Sequence, residues 1–251
     1  MKENDESIAP DLVTFNTVLN AWALSGTRCC GRKAEKYLDQ MWELYNAGDN
    51  NNVKPNYMSY NTVINAISKS QNSAKAQRAL RMLRRMDKLY RAGINKEARP
   101  NEITYNTVLN SCALTSVGDE RTRRKALHTA IFTLEELKSS RYGHPNQITY
   151  GTFFKACANL LSGMENDELG RAIIAEAFQQ CCKDGQVGEM VLANLRDAAP
   201  QELYHELVVE GAKLNPSHKS SRRVTVHDLP QAWRSNVRER RRPEERRQRS
   251  R

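Results

Sequence analysis

Residues 100–113 read PNEITYNTVLNSCA, and the phrase recurs as PDLVTFNTVLNAWA at 10–23, PNYMSYNTVINAIS at 55–68 and PNQITYGTFFKACA at 145–158. The leading residues Pro10, Pro55, Pro100 and Pro145 stand 45 residues apart each time. Each copy reads as a helix start. Proline is excluded from helix interiors, and the Asp or Asn that follows it can accept hydrogen bonds from the unpaired amides of a first turn. Behind it, Phe15, Val18, Leu19 and Trp22 fall at helical spacing, as do Tyr60, Val63, Ile64 and Ile67, and Tyr105, Val108, Leu109 and Cys112.

A second amphipathic segment follows in the first three copies: Ala34, Leu38, Met41, then Ala79, Leu83, Met86, then Ala130, Leu134, Leu137. The small residue lets the two helices of a hairpin approach closely, and the longer ones fill the space between hairpins. Such a unit cannot bury its faces alone, so neighbours must stack. The predicted fold is all-α, a solenoid of stacked helix-turn-helix repeats.

These residues resemble the pentatricopeptide repeat family. Its unit of about 35 residues carries V-T-Y-N-T-L-I in the first helix, A-x-x-L-F-x-x-M in the second and G-x-x-P-[DN] at the end. The resemblance covers residues 10–185, with ITYNTVLN (103–110) a close match. It implies a right-handed superhelix. Each copy departs from the family by about ten extra residues. In the first two copies, about three are expected between the helices and about seven after Met41 or Met86; in the third, about nine are expected around Val117 to Arg124.

The family binds single-stranded RNA, one base per repeat, each read by two or three side chains. Carried over by motif, the resemblance implies the reading pairs Asn16 with Asn56, Asn61 with Asn101, and Asn106 with Asn146. The apolar residues that would sandwich bases are Val13, Met58, Ile103 and Ile148. A side-chain amide offers both donor and acceptor, which suits the Watson–Crick edge of a splayed base. Asn with Asn resembles a pyrimidine reader, so three pyrimidines in succession are expected. The fourth copy has Gly151 in place of Asn and is expected to read nothing or to bind the strand without discrimination. A structural alternative for Asn16, Asn61 and Asn106 is an amide ladder between repeats, and Asn56, Asn101 and Asn146 have a capping role in either case. Asn20, Asn65 and Asn110, one turn later, read as hydrogen-bonding residues between hairpins. Phe15, Tyr60, Tyr105 and Tyr150, with Trp22 and Trp42, read as core.

The 251-residue chain carries 39 Lys and Arg against 29 Asp and Glu, a net of +10, yet the charge is not spread evenly. Residues 213–251 hold 13 basic and 4 acidic side chains, so the rest of the chain is close to neutral. Among the columns where the resemblance implies a phosphate-binding Lys, only Lys69 matches, with Leu24, Leu114 and Asn159 elsewhere. Residues 57–101 carry 10 basic and 2 acidic side chains. The stripe Arg78, Arg81, Arg84, Arg85 and Lys88 lies on a second helix, as a solvated face or as a patch for RNA or a ribosome.

No apolar run is long enough to cross a bilayer, so no membrane partner is expected. The opening MKENDESIAP reads as neither a secretory signal nor a transit peptide, although the resemblance implies a mitochondrion or chloroplast. The six cysteines lack zinc-site spacing and read as reduced thiols. The histidines have no partner at ligand spacing, and H-x-E with a downstream C-x-x-C is missing. Neither an enzyme nor a cofactor is expected.

The predicted organisation is an N-terminal remnant (1–11), repeats at 12–56, 57–101, 102–146 and, degenerate, 147–189, capping helices at 190–212 and a basic disordered tail at 213–251. Within the last stretch, VTVHDLPQAWRSNV is placed to dock through Leu229 and Trp233. The expected function is sequence-selective binding of single-stranded RNA in organellar RNA processing, stability or translation, alongside other organellar RNA-processing proteins and with no small-molecule substrate. The alternatives are a protein-interaction scaffold of an organellar RNA-processing or ribosomal complex, and the RNA-binding part of a ribonuclease P-like enzyme lacking its nuclease domain.

Overall fold

A computed structural model describes residues 9–115, 119–162, 168–214 and 224–237. The recurring phrase forms α1 (Leu12–Ser25), α3 (Tyr57–Lys69), α5 (Glu102–Ala113) and α7 (Gln147–Leu160). The second segments form α2 (Cys30–Ala47), α4 (Lys75–Arg91), α6 (Glu120–Ser139) and α8 (Glu168–Lys183). A further first-type helix, α9 (Glu189–Ala198), packs on α7 and is followed by α10 (Gln201–Tyr204), which runs into a π-helical turn over His205–Glu210. The helices α1, α3, α5, α7 and α9 stack in that order, and the second helices α2, α4 and α6 also pack on the next hairpin's first. The described residues form an all-helical solenoid.

The starts of these helices follow from the Pro-Asx signal. Asp11, Asn56, Asn101 and Asn146 all cap, each accepting from the amide three residues on. Ser59, Thr104 and Thr149 complete capping boxes at the last three. The columns Ala34, Leu38, Met41, Ala79, Leu83, Met86, Ala130, Leu134 and Leu137 are all buried. Each buried Leu contributes about 2 kcal/mol of apolar transfer. Gly31 belongs to the same close packing, since a Cβ there would lie 3.0 Å from the Ile67 backbone. The predicted face of α1 is only partly covered. Leu19 and Ala23 are buried, but Phe15, Val18 and Trp22 are half-buried, because none of the described hairpins packs on the other side.

The extra residues of the first two copies go where the sequence places them, after Met41 and Met86. Each second helix continues past its Met, ends at a left-handed glycine (Gly48, Gly93) and is followed by a 3-10 turn, Asn51–Val53 or Lys96–Ala98. The third copy differs from expectation. Glu120 to Arg124 are not a loop but the first turn of α6, started by the Asp119 cap and braced by the Arg124–Glu120 ion pair at 2.6 Å.

The tail boundary at 213 also moves. Residues 224–237 carry α11 (Gln231–Arg234) and pack on α8, with Leu229 buried and Trp233 edge-on to Phe178 at 5.7 Å. Val224 and Val226 pack against the same core beside Leu229 and Trp233. The N-terminal remnant up to residue 8 and the Arg-rich stretch 238–251 lie outside the described residues.

Candidate nucleic-acid interface

The capping asparagines are held in one rotamer by what they cap. Asn56 Oδ1 accepts from the amides of Met58 and Ser59 at 3.0 and 3.1 Å, and Asn146 Oδ1 accepts from those of Ile148 and Thr149 at 2.9 and 3.1 Å. Asn101 Oδ1 accepts from the Thr104 amide and hydroxyl, both at 3.0 Å. The oxygen is thus occupied in all three, and the Nδ2 group makes no hydrogen bond within the described chain.

The residues paired with them by motif are in a different state. Asn16 Oδ1 accepts from Ser59 Oγ at 2.7 Å, an inter-repeat bond. In the next two repeats the equivalent hydroxyls, Thr104 and Thr149, turn back to their own caps. Asn61 Oδ1 and Asn106 Oδ1 are left buried with no partner. A buried amide oxygen without a donor costs about 1–3 kcal/mol, so it needs a reason to be there.

Beside these amides runs a row of exposed apolar side chains. Val13, Met58, Ile103 and Ile148 are 69%, 51%, 60% and 48% exposed, each two residues after a cap, and the first three stand one turn before Asn16, Asn61 and Asn106. Tyr57, adjacent to Met58, is exposed as well. The stacked tyrosines behind the row, Tyr60, Tyr105 and Tyr150, are buried core. The Tyr60 hydroxyl accepts from Trp42 Nε1 at 2.9 Å, and the Tyr150 hydroxyl donates to Asp184 at 2.6 Å.

The inter-hairpin role expected of Asn20, Asn65 and Asn110 falls to other residues. Among the described residues those amides make no side-chain hydrogen bond, whereas Asn159 Nδ2 donates to the Ala113 carbonyl at 2.7 Å and Asn194 Nδ2 to that of Gly151 at 2.8 Å. Lys69 sits exposed in the last turn of α3. The α4 stripe is largely engaged elsewhere. Arg78 pairs with Glu35, Arg85 with Asp39 at 2.6 Å, and Arg84 with Glu136, so three of its five cations tie α4 to α2 and α6.

No group of His, Cys, Asp and Glu among the described residues is placed to hold a metal ion, and no described helix is long and apolar enough to cross a membrane. All six thiols are free. Burial pushes those of Cys157 and Cys182 up to about 12, which keeps them protonated.

The chain is thus a stack of helix hairpins, the first three of which each present one apolar residue and two amides on a single surface. Residues 43–115 match the family model described as the pentatricopeptide repeat domain, which identifies the second repeat and its flanks as that repeat type. Proteins of this family are generally RNA-binding and commonly organellar. No curated protein and no solved structure matches the chain.

Proposed function

We propose that this chain is a noncatalytic RNA-binding solenoid that takes up a short pyrimidine run of an organellar transcript along the surface of α1, α3, α5 and α7. The observation that carries the reading is the pairing of unsatisfied groups. In the slots Asn61/Asn101 and Asn106/Asn146, a buried orphan Oδ1 stands with an uncommitted Nδ2. Turning the Asn61 or Asn106 amide brings its oxygen to the surface, where one acceptor and one donor match the edge of cytosine or uracil. The apolar row supplies the faces between which a base lies. At about 1–3 kcal/mol of stacking per base, before the entropy of ordering the strand, three slots give weak binding.

A nearly neutral repeat body favours a second reading, in which the array holds a protein of an organellar RNA-processing or ribosomal complex. Selection from a pool of randomised single-stranded RNA separates the two. The RNA reading expects enrichment of a run of three pyrimidines. Recovery of strands with no common sequence would reject it in favour of the scaffold.

A further inference from the structure

Three asparagines of the first helices have no task inside the fold. Asn20, Asn65 and Asn110 stand four residues after Asn16, Asn61 and Asn106 on α1, α3 and α5, on the same helix face and about 6 Å further along the axis. Asn is a poorer helix former than Ala, and a bond from its side chain to a neighbouring hairpin would offset that cost. Asn159 and Asn194 make such a bond, whereas the side chains of Asn20, Asn65 and Asn110 make none among the described residues. Asn20 is exposed, and Asn65 and Asn110 are half-buried. Each stands two turns after Val13, Met58 or Ile103, so the amides continue the surface of that exposed row.

On α3 the order is Asn61, Asn65, Lys69, at steps of one turn. The first belongs to a reading pair and the last to a phosphate column. In a nucleotide the sugar lies between base and phosphate, and Asn65 lies between the residues that would meet those two. The fourth unit changes the column in the same sense. Its reading positions are both glycine, Gly151 on α7 and Gly188 at the cap of α9, and a Cβ on Gly151 would lie 2.5 Å from Met190 Cε. This unit carries no side chain to read a base, and four residues after Gly151 the column holds the exposed Lys155. Where base reading stops, the amide gives way to a cation, which suits a strand's backbone and carries no base information.

We infer that this column follows the sugar–phosphate backbone of the strand, with Asn20, Asn65 and Asn110 on the ribose 2′-hydroxyls of the three bases and Lys155 on a phosphate beyond them. The inference rests on the RNA reading above. A side-chain amide presents a donor and an acceptor together, and the 2′-hydroxyl is both. A phosphate oxygen only accepts, and a deoxyribose offers neither at that carbon. The row therefore selects RNA over DNA at the same bases.

The test uses the full chain and two strands of one sequence, three pyrimidines flanked by purines, one with ribose throughout and one with 2′-deoxyribose at the three pyrimidines only. The ribose strand should bind about fivefold more tightly for each sugar, the worth of one neutral hydrogen bond, and each strand should be preferred to an all-purine strand with the same sugars. Asn65→Ala combined with Asn110→Ala should weaken the ribose strand about twentyfold or more and leave the deoxy strand unchanged. The denaturation midpoint should stay level or rise, since Ala is the better helix former. Lys155→Ala should lower the salt slope by about 0.7 with either strand. Equal binding of the two strands, a ribose preference that survives the double substitution, or a salt slope unmoved by Lys155→Ala would overturn the inference and leave base reading in place. Loss of both strands alike in the double variant would assign the row to the fold and overturn it too. Absence of a pyrimidine preference with both sugars would overturn base reading itself.

Discussion

Asn95 donates Nδ2 to the carbonyl of Pro55 at 2.6 Å, 40 residues back along the chain, while its Oδ1 accepts from the Glu97 amide. Asn50 does the same to Pro10 at 2.7 Å and to the Asn52 amide. Each extra turn after a second helix is thus tied to the start of the first helix of its own repeat, and the added length leaves the helix starts in register. Asn95→Ala strands the carbonyl of buried Pro55 and should cost about 1–3 kcal/mol in chemical denaturation. Asn50→Ala, at the more exposed equivalent, should cost about 1 kcal/mol or less.

Asn61→Ala with Asn106→Ala should separate stability from binding. Each substitution removes an unpaired buried oxygen and puts a better helix former in its place, so the denaturation midpoint should stay level or rise. RNA affinity should fall about tenfold per slot, or ~1.4 kcal/mol each. Asn101→Ala differs in kind, because its oxygen caps α5. It should lose about 1 kcal/mol of stability as well as affinity.

The two cationic features should respond in opposite ways. Arg78→Ala leaves Glu35 half-buried without its partner and should destabilise by about 1 kcal/mol with little change in RNA affinity. Lys69→Ala should leave stability unchanged and reduce the salt slope of RNA binding by about 0.7, as expected for one phosphate contact. A fall in affinity with Arg78→Ala, at unchanged stability, would place the α4 stripe on the RNA instead.

Burial raises the pKa of Cys157 and Cys182 to about 12, and raises that of Tyr60 as well. The folded state therefore keeps protons that the unfolded chain releases, beginning near the ordinary thiol value of about 8.5. Their contribution to stability is fully present below that value and is lost as pH rises toward 12. Denaturation midpoints should be level from about pH 6 to 8 and decline above about pH 9. A midpoint that rises between pH 9 and 11 would contradict the assignment.

What the sequence made legible is what the chain decides locally. The caps at Asp11, Asn56, Asn101 and Asn146, the buried faces of the second helices and the exposed row at Val13, Met58, Ile103 and Ile148 are all set by residues within a turn or two of one another. The features that escaped depend on distant partners. Asn50 and Asn95 show their role only against carbonyls 40 residues away. Thr104 could as well have bonded to Asn61 as to its own cap, and that choice leaves the Asn61 oxygen unpaired. Met190 looks like an ordinary core residue until α9 is laid on α7 and meets Gly151. The α4 arginines read as a free basic stripe because Glu35, Asp39 and Glu136 lie on neighbouring helices. Gly151 and Gly188 stand where the earlier copies carry the asparagines of the reading pairs.

The most direct test is the affinity of the full chain for a C/U-rich and a purine-rich single strand of equal length at near-physiological salt, repeated with Asn61→Ala and Asn106→Ala combined. The predicted result is tighter binding of the pyrimidine strand by the unaltered chain and equal, weaker binding of both by the variant. Equal binding of the two strands by the unaltered chain, or a preference that survives the double substitution, would contradict base reading by these asparagines.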